Sequence, residues 1–224
     1  MTTAVPAVRN AVRTWLERYE AGDTVLVAVS GGADSLALAH ALSVESKEFV
    51  ITVIGVTVDH QLQEQSGAQA EKVVAQLKNF GLDCIIKKVN VDLKDGLEAS
   101  ARAARYLALQ EAADEKSAVA VFLGHTRDDQ AETVLLGLAR GSGTRSLSGM
   151  APHNGVYVRP LLEITRDQSE RYCEEVKLQY WSDPHNENPD FSRVRVRNVA
   201  LPALETSIGP GISEALARSA HLLR

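Results

Sequence analysis

Two clusters of residues in this 224-residue chain have the types and spacing that chemistry needs. The first is Ser30-Gly31-Gly32-Ala33-Asp34-Ser35, which follows a short apolar run directly and opens a helical stretch. Consecutive glycines let the backbone come close to a bound anion. The N–H groups of the turn and of the first helical residues point at that anion, with the helix dipole behind them. Ser30 and Ser35 add hydroxyl donors. Asp34 is the odd member, since a carboxylate repels phosphate unless a cation lies between them, and this points to Mg2+ bridging Asp34 and phosphate oxygens. The plainer reading is a strand–turn–helix elbow with an aspartate cap. Neither the GxxxxGK[ST] loop nor the GxGxxG fingerprint occurs.

The second cluster is Gly124-His125-Thr126-Arg127-Asp128-Asp129-Gln130-Ala131-Glu132-Thr133. Helical spacing puts Asp128 and Glu132 on one face, with Asp129 beside them. Three carboxylates and a histidine next to a phosphate site can bind Mg2+, hold a substrate ammonium, or take a proton from an amine. An acidic helix N-terminus that merely complements the dipole is the simpler alternative.

The elements that must position these clusters alternate between strand and helix. Thr24–Val29, Val50–Val58, Cys84–Val89 and Ala118–Leu123 are strand-length apolar runs, and Ser35–Leu42, Gln65–Phe80 and Leu97–Glu115 are helical stretches between them. The nearly continuous apolar character of residues 50–58 fits a strand covered on both faces. Alternation of this kind implies a doubly wound, mostly parallel sheet with helices on both faces. In such a sheet the first and fourth strands flank the switch point, which brings the two clusters together. An amphipathic helix marked by Val8, Val12, Trp15, Leu16 and Tyr19 precedes the first strand and ends near Gly22. Helix resumes over Thr165–Lys177, and two further helical stretches follow a polar loop bracketed by Pro184 and Pro189. The domain expectation is residues 1–180 as the catalytic unit and 181–224 as a helical appendage. The chain reads as ending in mid-helix at Arg224, so the appendage is expected to begin a longer C-terminal region.

Composition narrows the classes. The chain is 45% hydrophobic and 24% charged, with a net charge of −5, which argues against indiscriminate coating of nucleic acid. Residues 191–224 nevertheless hold five arginines against two glutamates, so a basic end sits on an acidic body. No run is long enough to span a bilayer and no secretory leader is evident, so a cytoplasmic protein without membrane contact is expected. Cys84 and Cys173 have no CxxC neighbour, which disfavours disulfide, zinc-ribbon and iron–sulfur frameworks.

The glycine loop resembles the SGGxDS PP-loop of the N-type ATP pyrophosphatases. Further along, HxxDDQxET is followed by Arg140-Gly141-Ser142-Gly143, by Gly149-Met150 and by Arg159-Pro160-Leu161-Leu162. With Val58-Asp59-His60-Gln61-Leu62, the EASARAARY stretch from Glu98 to Tyr106, and Asp183-Pro184 with Asn186, Arg193 and Arg197, this ordered set resembles the tRNA(Ile)-lysidine synthetase family. The likeness runs from about residue 24 to about residue 204 and departs locally at Gln61, Gln63 and Ser146.

That resemblance implies a ligase acting on ATP, L-lysine and the tRNA(Ile) with a CAU anticodon. ATP adenylates the C2 oxygen of the wobble cytidine, releasing pyrophosphate; lysine then attacks C2 and expels AMP. It implies that Ser30, Gly31, Gly32, Ala33, Asp34 and Ser35 hold the phosphates, with Asp34 on Mg2+, and that Val58 and His60 border the adenosine. Arg102 meets the leaving pyrophosphate, or else pairs with Glu98 on a solvated helix face. Asp129 and Glu132 hold the lysine ammonium, and Asp34, Asp129 and Glu132 form the catalytic set. Arg140, Arg193 and Arg197 contact the tRNA backbone, and the resemblance admits a homodimer. The rival readings are a tRNA thiolase of the same superfamily, which needs paired cysteines, and a non-catalytic ATP-binding module, which has no use for the carboxylates.

Overall fold

The computed structural model describes residues 3–61, 66–90, 97–141, 143–183 and 187–224. Leu62, Gln63, Ser142, Pro184 and Asn186 of the motifs above lie outside the described residues, as does the side chain of Glu98. Strand β1 (Thr24–Ala28) is central, between β2 (Thr52–Asp59) and β4 (Ala120–Phe122), with β3 (Asp83–Lys88) outside β2. All of these pairs are parallel. A short hairpin of β5 (His153–Asn154) and β6 (Tyr157–Val158) extends the other edge, with β6 parallel to β4 and antiparallel to β5. The order β3-β2-β1-β4-β6-β5 is the doubly wound sheet expected from the alternation.

Alternation along β1 divides the core. Val25 and Val27 face α1 (Ala4–Leu16), α2 (Ala33–Phe49) and α3 (Ser66–Asn79), within one cluster that holds Val12, Leu36 and Leu77. Leu26 and Ala28 face α4 (Leu97–Glu115), through Leu109 and Ala112. Helix α5 (Arg127–Ala139) leaves the carboxyl end of β4, α6 (Thr144–Leu147) follows it, and α7 (Arg166–Glu175) packs on α2. The C-terminal part is α8 (Ser192–Arg195), a π-helical stretch Val196–Ala200, α9 (Leu201–Ser207) and α10 (Ile212–Leu222). Helix α10 packs against α5, where Gln130 clasps Met150 through both its amide atoms and Arg224 donates to the Ser148 and Met150 carbonyls. Among the described residues no helix is long and apolar enough to cross a membrane.

Three elements differ from expectation. The helix expected over Ser35–Leu42 runs on to Phe49, because the polar residue Glu45 is buried and paired with Arg9 and Arg13 of α1. Val50, expected to open a strand, instead ends α2 in the left-handed region at φ 56°, and β2 starts at Thr52. The N-terminal helix stops at Leu16 rather than near Gly22. The β5–β6 hairpin was not anticipated, since two residues per strand leave no periodicity to read.

Candidate active site

The glycine loop lies at the carboxyl end of β1. Gly31 takes φ +91°, and a Cβ there would sit 2.9 Å from Gln69 Nε2 and 3.0 Å from Val73 Cγ2, so only glycine fits this turn against α3. Gly32 caps α2 without a side-chain acceptor, which leaves the first helical N–H groups open to an anion. Ser35 Oγ donates to the Gly32 carbonyl at 2.9 Å and accepts from the Ser30 N–H at 3.2 Å, which fixes the loop's shape. Gly124, at the exit of β4, allows that strand to touch the start of α2: a Cβ would be 3.0 Å from the Asp34 carbonyl oxygen.

Two cavities adjoin this loop. One, of about 430 Å³, has mostly apolar walls from Val29, Val56, Val58 and Val73, with Asp59, His60 and Asp183 at polar positions. The other, of about 490 Å³, is lined by Gly32–Ser35 together with His125, Asp129, Arg166 and Arg197. Ala28, Ser30, Arg105 and Trp181 line both.

The second cavity is densely charged. Asp129 closes a capping box at the start of α5, its Oδ2 accepting from the Thr126 N–H at 2.8 Å, while its Oδ1 accepts from Arg166 Nη2 at 3.0 Å. Burial works against its ionisation, but Arg166, the Thr126 N–H and Arg197 outweigh it, so the carboxyl lies below its usual range. Asp34 behaves oppositely. Burial, then repulsion from Asp129, pushes its carboxyl up to about 7 despite Arg166 3.8 Å away, and its Oδ1 has no hydrogen-bond partner. Burial, with Arg105 nearby, pushes His125 down to about 3, so a neutral imidazole with an unpartnered Nδ1 faces the cavity. Burial and Arg105 also lower His60.

Glu132 does not face the cavity. It has no exposed side-chain surface, and Arg197 grips it bidentately at 2.7 and 3.2 Å. Arg193 and Arg166 approach it at 3.5 and 3.6 Å. Glu132, expected to hold the lysine ammonium with Asp129, thus lies behind the cavity lining against guanidinium groups, whereas Asp129 lines the cavity itself. Arg193 and Arg197, one helical turn apart, both point at this glutamate, while Arg195 turns to the Pro189 and Asp190 carbonyls.

A PP-loop domain family matches residues 6–204. The tRNA(Ile)-lysidine synthase of Thermobifida fusca is 53% identical over 221 residues, covering 98% of this chain and 68% of its own length. That of Streptomyces coelicolor is 54% identical over 204 residues, covering 89% of this chain and 58% of its own. The chain belongs to the tRNA(Ile)-lysidine synthase family. It spans roughly two thirds of the length of these lysidine synthases. The U34-tRNA thiolase NcsA from Methanococcus maripaludis, with its [4Fe-4S] cluster, shares the fold at a TM-score of 0.81 and 21% identity, over 98% of this chain and 78% of its own. That likeness speaks to architecture alone.

Within this lysidine synthase fold the remaining expected residues fall in different places. Ser30, Val58 and His60 line the apolar cavity, and Gly32, Ala33, Asp34 and Ser35 the charged one. Arg102 lines neither: it is exposed, with its guanidinium 4.9 Å above the Tyr106 ring. Arg105, three residues on, is the guanidinium that faces both cavities. Arg140 is exposed at the C-cap of α5. Sequence reasoning missed Arg105 and Arg166. Helical period does not separate Arg105 from Arg102, since they stand four and seven residues before the buried Leu109 and so share its face; what divides them is exposure, Arg102 lying nearer the start of α4. Arg166 carried no local signal.

Proposed function

We propose that these joined cavities carry out the ATP-dependent ligation of L-lysine to C2 of the wobble cytidine of the tRNA(Ile) with a CAU anticodon, in the cytoplasm. The observation that carries this reading is the junction itself. A nucleoside-sized apolar cavity and a carboxylate-bearing cavity meet at one phosphate loop, so an adenylate formed at the loop lies within reach of an amine held on the other side.

Adenosine lies against Val56, Val58 and His60, and the α2 N–H groups with Ser30 and Ser35 take the phosphates. Asp34 suits Mg2+: its Oδ1 is buried and unpartnered beside the anion cradle, and the ion would neutralise charge on the departing pyrophosphate. Arg105 faces the same phosphates from α4 and takes the role expected of Arg102. Ionised Asp129 receives the lysine ammonium, and Glu132 supports it from behind by holding Arg197. Asp129 then takes a proton from the ammonium, the freed amine attacks C2, and the C2–O bond breaks as AMP departs, with the fixed charges of the cavity favouring that step. Arg140 meets the tRNA backbone. Arg193 and Arg197 reach RNA only from positions where they already hold Glu132, and residues 181–224 supply a helical appendage on the tRNA side.

Transfer of labelled lysine into the tRNA(Ile) with a CAU anticodon, with AMP release followed in parallel, tests this. Incorporation that needs ATP, Mg2+ and that tRNA supports it. AMP release with tRNA but no lysine incorporation would overturn it in favour of another nucleophile, as in a thiolase. Cys84 and Cys173 sit on different elements, and burial pushes their thiols up to about 11 and about 12, far from a reactive thiolate.

A further inference from the structure

We propose that Trp181 is the platform on which the target cytosine stacks once it leaves the anticodon; this rests on the function proposed above. The reacting C2 oxygen must meet the α-phosphate, which lies between the adenosine and the outer phosphates. That point is the junction of the two cavities. Of the residues lining both cavities, Ala28, Ser30, Arg105 and Trp181, only Trp181 is aromatic.

Its place is set by the phosphate loop. The Trp181 N–H donates to the Gly31 carbonyl at 2.9 Å, and two residues earlier the Gln179 carbonyl accepts from the Gln76 side chain of α3. The segment is thus a strap registered to the loop, and whatever stacks on Trp181 is registered to the α-phosphate as well. Among the described residues the Trp181 ring has no ring or cation partner, and its indole N–H makes no hydrogen bond. Trp15, the other tryptophan, differs: Arg18 lies 4.0 Å above its ring and His153 packs 6.1 Å away. A half-buried indole left without partners beside a phosphate loop has the chemistry of a base-stacking surface. Tyr180, next along the strap and exposed to the charged cavity, adds a second aromatic face. Proteins that act on a base extrude it from its stack and hold it against aromatic faces, which supply affinity for any base without choosing among them.

The test uses the full chain and two anticodon stem-loop RNAs, one with cytidine at the wobble position and one abasic there. In Trp15→Phe protein, Trp181 is the sole fluorophore of its kind. The cytidine RNA is expected to quench it and the abasic RNA to leave it unchanged; equal quenching by both overturns the proposal. In lysine transfer, Trp181→Ala is expected to raise KM for the stem-loop about tenfold or more with ATP affinity held within about twofold, and Trp181→Phe to recover most of the loss. A fall in ATP affinity with unchanged KM for RNA would make Trp181 an adenine platform instead. Wild-type protein that shows the wobble-dependent quench yet transfers no lysine would overturn the proposed reaction while leaving the platform standing.

Discussion

The two cavities that meet at Ser30 and Arg105 are built in opposite ways. The apolar one draws its walls from contiguous segments, residues 56–60 at the end of β2 and 66–73 in α3, and its shape follows from packing. The charged one assembles side chains from α2, α5, α7 and the π-helical stretch, each element contributing one or two ionic groups. Packing tolerates local change, because neighbouring apolar groups relax. A buried ionic cluster does not, since each charge is there only because its partners are. The comparison therefore says where substitutions are severe: behind the charged cavity, at the group that most arginines share.

The largest effect is expected at Glu132. Glu132→Ala leaves Arg166, Arg193 and Arg197 without their common acceptor, itself fully buried. Those arginines keep 22–30% of their side-chain surface, so the loss is reduced by solvent, to on the order of 2–4 kcal/mol. Thermal unfolding should show a clear drop in Tm, and lysine transfer should vanish with it. By contrast, Val58→Ala in the apolar wall is expected to keep most of the stability and to weaken ATP binding only modestly. A Glu132→Ala chain as stable as Val58→Ala would break the distinction between the two cavities.

Asp34 sharpens the same contrast through pH. A carboxyl raised to about 7 in the folded chain binds its proton more tightly folded than unfolded. It supports the fold below its unfolded value of about 4, and that support drains away as pH rises through about 7. Asp34→Asn carries no charge at any pH. The ligand-free variant is therefore expected to match wild type near pH 4 and to exceed its Tm above pH 7, while losing lysine transfer by about a hundredfold or more. In wild type, kcat/KM for ATP is expected to rise through about pH 7 as Asp34 ionises. A variant with lower Tm at pH 8 would show that Asp34 is a structural partner of Arg166 and no strained site residue.

The same division decides what the sequence could reveal. The glycine loop, the strand–helix alternation and the capping box at Thr126 are encoded within a few residues, and the doubly wound sheet follows from them. The charged cavity depends on partners far apart in sequence: the Arg166 N–H reaches Asp128 across 38 positions and Arg197 reaches Glu132 across 65. Nothing near Arg166 distinguishes it from a surface arginine at a helix start. Glu132 was legible as a member of the cluster, but its burial behind Asp129 was not, because that burial is created by the chain returning after residue 190. The extension of α2 through Glu45 has the same cause, since a polar stretch becomes helical where α1 supplies Arg9 and Arg13.

The smallest effect expected is also the most discriminating between local and long-range reading. Arg102 and Arg105 stand three residues apart on α4, close in sequence and opposite in surroundings. Arg102 stacks on Tyr106 in solvent, an interaction worth at most about 1 kcal/mol at an exposed site. Arg105 faces both cavities and the phosphate loop. Arg105→Ala is expected to lower kcat/KM for ATP by about one to two powers of ten, because a guanidinium facing phosphate in a confined site is hard to replace with water. Arg102→Ala should stay within about twofold in the same assay. Steady-state kinetics with varied ATP and saturating tRNA checks both. A reversed order would place the pyrophosphate contact at Arg102, one turn nearer the start of α4; equal, small effects would leave the α2 N–H groups and Asp34 to hold the phosphates alone.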